Sequence, residues 1–161
     1  MPAKIYHNPV VISPLIQSFI IGCTNNSEEK CHIGITYYAV PILIIENYYK
    51  LLKGTRENSG IQKFVSKFIN EKKTDLLIKL NEEARRYQKL TSQSIFLGLK
   101  CNLFCFDETR SFLYCCTENF KPRYSSNLSI SAKIRNANKL GRWLKGASPT
   151  EAVAFLNLGA A

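Results

Sequence analysis

The chain reads as a mainly α protein: a small helical domain with one β-hairpin. Three observations predict this. Apolar residues recur at helical spacing through most of the 161 residues. Helix-start signals punctuate the sequence, Ser13-Pro14 and Ser148-Pro149-Thr150-Glu151 being the clearest. Strand-like aromatic runs, Leu103–Phe106 and Phe112–Cys116, flank the polar turn Asp107-Glu108-Thr109-Arg110. A chain of this length usually makes one domain, so residues 1–161 are taken as a single unit. Two sub-lobes divide it naturally, a helical 1–58 and a winged-helix-like 59–161 with C-terminal helices.

Each element has its own signal. Ser13 caps a first helix with Leu15, Ile16, Phe19, Ile20 and Cys23 on one face. Thr24 to Lys30 is polar and reads as a loop. Ile35 to Leu52 is apolar on nearly all sides, a buried helix that Pro41 must kink or divide. A strand before Pro41 is the alternative, since Tyr37, Tyr38 and Val40 suit strands. After a loop from Gly54 to Gly60, Ser59 caps a helix with Ile61, Phe64, Val65 and Phe68 on one stripe. Thr74 caps the next, which buries Leu76, Leu77, Leu80 and Ala84. Thr91 or Ser92 restarts another, carrying Ile95, Phe96, Leu97 and Leu99. Helix, tight break, helix, hairpin is the order of a winged helix-turn-helix; an ordinary helical domain with an added hairpin has the same order. Beyond a polar connector, Lys121 to Ser129, Ile130, Ile134, Ala137, Gly141 and Leu144 line one side of a helix. A last helix follows the capping box at Ser148, and Gly159 ends it.

Charge and cysteines bound the function. Lys and Arg total 22 against 12 acidic residues, a net of +10, which attracts nucleic acid, acidic proteins or anionic surfaces. Met1 to Asn8 carries no secretion signal, so a cytoplasmic protein with reduced cysteines is expected. The spacings of the six cysteines are not those of zinc knuckles. The longest apolar stretch, Ile33 to Ile45, is shorter than the about 20 residues of a membrane span.

Catalytic signals are weak. His7 and His32 are the two histidines, and neither has a partner at a telling spacing, although Cys31 adjoins His32. Glu82-Glu83 and Asp107-Glu108 fit a solvated helix face and a turn. There is no Gly-rich phosphate loop. No enzyme activity, cofactor or metal is expected. The basic constellation is stronger: Lys121 to Lys145 holds seven Lys or Arg residues and no acid. Arg135, Lys139 and Arg142 form a stripe opposite the apolar side of one helix. With Lys133 and Lys145 they are the candidate nucleic-acid or partner-binding residues; a solvated outer face is the bland alternative. Trp143 is expected to pack against the Ser148 helix.

The run Leu140-Gly141-Arg142-Trp143-Leu144-Lys145-Gly146-Ala147-Ser148-Pro149-Thr150-Glu151 resembles the C-terminal signature of middle components of bacterial three-component ABC systems. Asn8-Pro9 before an apolar helix, and Tyr38-Ala39-Val40-Pro41-Ile42-Leu43-Ile44, resemble the family's start and central segment. The stretch from Glu46 to Lys73, rich in Lys, Tyr and Asn, and the long connector near Asn119 to Ser126 depart from it. The resemblance implies a conflict or anti-phage defence role, a Menshen-type system being one home. It further implies an ABC/SMC-type ATPase and a third component as partners, DNA contacted through that complex, no membrane, and no catalytic residues. The expected function is a non-enzymatic coupling subunit. The alternatives are a free-standing winged-helix DNA-binding regulator and a Cys31/His32-based effector enzyme.

Overall fold

Helix α1, Pro9–Thr24, is the axis around which the rest is arranged. The computed structural model of the chain describes residues 6–24, 30–115 and 127–156. Helix α1 starts at Asn8, whose side-chain oxygen accepts from the Val10 N–H at 3.0 Å. The expected start at Ser13 is therefore too late. Pro14 lies inside the helix, where its missing N–H removes one bond. The Ser13 hydroxyl does not cap; it donates to the Ser94 carbonyl at 2.7 Å. With Ile12, Leu15, Ile16, Phe19 and Ile20 all buried, α1 has little surface facing water.

Strand β1, Cys31–His32, leads directly into α2, Ile33–Ile44, and α3, Glu46–Lys53. The chain stays helical through Pro41. It divides at Ile45, where the backbone turns extended, φ −84° and ψ 121°. Neither a strand before Pro41 nor a break at Pro41 forms. The buried faces of α2, Ile35, Ala39, Val40, Ile42 and Leu43, favour one uninterrupted helix against the core.

A short 3-10 turn, Glu57–Ser59, precedes α4, Gly60–Asn70, α5, Thr74–Arg86, and α6, Gln88–Lys100. Ser59 and Lys73 hold the N-cap positions of α4 and α5 without side-chain cap bonds, so Ser59 and Thr74 do not cap as expected. The break between α5 and α6 is Tyr87 alone, φ −96° and ψ 9°. Thr91 and Ser92 therefore sit within α6 instead of starting it. A break this slight leaves no polar turn to signal it in the sequence.

The expected hairpin is present as β2, Cys105–Phe106, and β3, Phe112–Tyr114. Asp107 organises its turn. One carboxylate oxygen accepts from the Ser111 and Phe112 N–H groups at 3.2 Å each, and the Thr109 hydroxyl donates at 3.0 Å. Strand β1 adds to the far side of β3, giving an antiparallel sheet of order β1-β3-β2 with Cys31 opposite Leu113. A two-residue strand is too short to show alternation, so sequence periodicity does not announce it.

Helix α7, Leu128–Trp143, is capped by Asn127, which accepts from Ser129 N–H at 2.9 Å. It runs along α1 at backbone contact. A methyl group on Gly22 would lie 2.2 Å from the Asn138 carbonyl oxygen. The Ser18 hydroxyl donates to the Ile134 carbonyl at 2.6 Å and ties the pair further. Helix α8, Pro149–Leu156, begins at Ser148, whose hydroxyl accepts from Glu151 N–H at 3.1 Å, as expected. One apolar cluster joins residues of all eight α-helices described apart from their outer faces, from Ile12 to Leu156, drawing on both sides of residue 58.

Cys23, Cys31, Cys101 and Cys115 are free thiols, whereas Cys105 is in a disulfide. The expectation of uniformly reduced cysteines thus fails at Cys105. Burial, with Cys31 close by, pushes the Cys115 thiol up to about 12 and Cys23 well above its ordinary value.

Candidate functional site

The five cations singled out on α7 have different surroundings. Lys133 is buried. Its ammonium donates to the Leu43 carbonyl at 2.6 Å and sits 3.5 Å from the Tyr49 ring centre and 4.5 Å from that of Tyr6. The carbonyl end of a helix and two aromatic faces stabilise a cation. Burial nevertheless lowers its pKa to about 8; Glu46 opposes that shift and Lys53 adds to it.

Lys139 is half-buried and closes the end of α3. It donates to the Leu52 carbonyl at 2.8 Å and the Thr55 carbonyl at 2.7 Å. Lys67 donates to the neighbouring Gly54 carbonyl. Two lysines thereby meet the Gly54 and Thr55 carbonyls just past α3, and Lys139 adds a second bond to the Leu52 carbonyl, which also accepts from the Thr55 N–H at 3.1 Å. Burial, then the nearby Lys67, lowers the Lys139 pKa.

Arg142 is exposed; its Nε donates to Asn138 at 2.8 Å and its guanidinium pairs with Glu57. Arg135 and Lys145 are exposed. A continuous outward stripe of Arg135, Lys139 and Arg142 therefore does not form. The helical spacing is right, but α3 and the 3-10 turn cover the Lys139 side. Lys121 and Arg123, which completed the basic run in sequence, lie outside the described residues.

Six residues of the signature from Leu140 to Glu151 have a clear structural task. Leu140 and Leu144 are buried. A methyl group on Gly141 would meet the Phe19 carbonyl oxygen at 2.2 Å. The Trp143 ring lies 5.9 Å from that of Phe64 in α4, and its N–H donates to the Glu57 carbonyl at 2.8 Å. Trp143 thus packs on α4. Gly146 has φ +71°, the left-handed region. Ser148 caps α8. This run is a folding motif, which closes α7 against α1 and α4 and starts α8.

The Cys31–His32 pair is also engaged. Cys31 is buried between α1 and the sheet, and the His32 ring nitrogen accepts from Gly34 N–H at 3.0 Å as the cap of α2. The His32 ring meets Phe112 edge-on at 5.2 Å.

Open clefts among the described residues include one of about 430 Å³ lined by His7, Arg86, Tyr87, Lys89, Leu90 and Gln93, and two others. One, of about 430 Å³, lies between α2, α5, α6 and α8 and is lined by Tyr37, Tyr38, Asn81, Arg85 and Gln88 among others. The second, of about 420 Å³, lies beside the signature and includes Trp143, Lys145, Glu151 and Phe155. Large apolar side chains at Val10, Ile69, Ile78, Phe96 and Leu128 are exposed on five different helices. Phe96, one of the apolar residues the sequence places on α6, is among the exposed ones. The acid-free run around it, Gln88 to Phe106, is the signal that marks this region. No described helix is long and apolar enough to cross a membrane.

No curated protein and no solved structure shows significant similarity to the chain. One family model matches residues 3–158, nearly the whole length. The order of elements built around the close α1–α7 pair thus spans the matched region, and the chain belongs to the family of ABC-three component (ABC-3C) system Middle Component 3.

Proposed function

We propose that this chain is a non-catalytic coupling subunit that docks on the ABC/SMC-type ATPase of its system and links it to the third component. The observation that carries this reading is the family match over residues 3–158, since a middle component functions among partner components. A second observation supports the lack of catalysis. The residues best suited to chemistry, Cys31 and His32, are engaged in packing and in capping α2. Anti-phage defence, of the Menshen type or a related one, and a cytoplasmic location complete the proposal.

The strand order gives a second reading some weight. A sheet of order β1-β3-β2, with β1 between the first two helices and a hairpin after α6, is compatible with a winged helix. The single-residue break at Tyr87 is shorter than the three to four residues of a helix-turn-helix, so α5 and α6 are not that motif's pair. A free-standing DNA-binding regulator follows from this reading.

Co-expression separates the two. Tagged chain produced together with its neighbouring reading frames should co-purify with the ATPase in fixed proportion. A chain that purifies alone and binds one DNA sequence tightly would favour the regulator. Turnover of any substrate by the lone chain, lost on changing Cys31 or His32 to Ala, would reject both.

A further inference from the structure

Helix α6 and the hairpin after it form a second basic surface, apart from α7. Lys89, Gln93, Phe96 and Lys100 fall at i, i+4, i+7 and i+11, one face of a helix, and all four are exposed. Phe96 is 60% exposed, with the Lys100 ammonium 4.6 Å from its ring centre. Ser92, also exposed, shares a hydrogen bond with the Tyr37 hydroxyl. No Asp or Glu occurs from Gln88 to Phe106. Arg86 lies beside the start of the helix, 3.8 Å from the half-covered Glu83.

The hairpin is fixed to the other end of α6. Leu103 N–H donates to the Gly98 carbonyl at 2.9 Å, and the Phe104 ring fills the space a side chain at Gly98 would take. Gln17 holds the Leu103 carbonyl at 3.0 Å. Thr109 and Arg110 are exposed at the tip, with Glu108 the exposed acid among them. The Asp107 carboxylate is occupied by the turn's own N–H and hydroxyl groups and by Lys30.

The geometry points to double-stranded DNA as the occupant: α6 in the major groove and Arg110 on a flanking phosphate. A helix fits a groove about 12 Å wide, and exposed amide, hydroxyl and ammonium groups can meet base edges and phosphates there. A second cation on a rigidly attached ribbon suits the phosphates beside the groove. The net charge of +10 is complementary. An acidic protein face would answer the cations alone; it gives no reason for an exposed helix face with a ribbon locked beside it.

The inference stands independently of the coupling role. Its test is fluorescence anisotropy of the full chain with a labelled random-sequence duplex of about 25 base pairs over a range of salt. The wild type should bind, increasingly weakly as salt rises. The double variant Lys89→Gln/Lys100→Gln should lose about tenfold in affinity, and its slope against log salt should fall by about 2. The control Arg135→Gln/Lys145→Gln on α7 should stay within about twofold. These positions are exposed, and unchanged circular dichroism melts will confirm folding. No binding by the wild type at low salt would overturn the inference. So would unchanged affinity of the Lys89/Lys100 variant, or loss by the α7 control alone. Loss of binding to a partner protein in that variant, with duplex affinity intact, would assign the surface to protein docking and equally overturn it.

Discussion

Gly141 of α7 lies directly against the Phe19 carbonyl of α1, so close that a methyl group there would sit 2.2 Å from the oxygen and 2.9 Å from the Cys23 nitrogen. Both obstacles are backbone, which cannot rotate aside. Gly141→Ala must therefore separate α1 from α7 and loosen the packing of Ile134 and Leu140. A loss of about 2–3 kcal/mol is expected, read from the urea midpoint by circular dichroism. An unchanged midpoint would show that the two helices are not in backbone contact.

Lys139 and Arg135 looked equivalent as members of one basic stripe; the structure makes them differ. Replacing Lys139 by Met removes the donor to the Thr55 carbonyl and one of the donors to the Leu52 carbonyl, and should cost about 1–3 kcal/mol. Arg135→Met, at an exposed position, should change stability by less than about 0.5 kcal/mol. Equal effects in a urea titration would contradict the assignment of Lys139 to the end of α3.

These two residues show where the sequence was legible. Helical spacing placed Arg135 and Lys139 on one side of α7 correctly. It could not show that α3 ends beneath Lys139, because that contact joins residues 87 and 84 positions apart. The hairpin was readable because its aromatic runs and the Asp107 turn are local. Its third strand was not, since Cys31–His32 is short and pairs with distant Leu113. The start of α1 was misread because Ser13-Pro14 has the form of a cap, while Asn8-Pro9 has it too and comes first.

Lys133 carries a pH signature. Its pKa is about 8 when folded and near its ordinary 10.5 when unfolded. The unfolded chain thus binds more protons between these values, and this residue's contribution to stability rises with pH from about 8 to 10.5. The Cys23, Cys115 and Tyr48 groups, raised in the fold, act oppositely at high pH. Comparing wild type with Lys133→Met cancels them. The stability of wild type relative to that variant should rise by about 1 kcal/mol between pH 7.5 and 10, solvent beside the amine reducing the full effect. A flat or falling difference would show that the ammonium is not shielded from water.

Asn8 tests the first helix. Asn8→Ala removes the side-chain acceptor for Val10 N–H and should cost about 1 kcal/mol. Hydrogen exchange should quicken in the first turn of α1 and leave the turn after Ser18 unaffected. Unaltered exchange at Val10 to Ile12 would return the start of the helix to Ser13.

The central claim is that the chain contributes a docking surface to an ATPase-driven assembly. The most direct measurement is the mass of the purified complex by light scattering, after co-expression of tagged chain with its neighbouring reading frames. The account predicts one species containing the chain and the ABC-type ATPase in fixed ratio. Elution of the chain apart from an intact, soluble ATPase would contradict it.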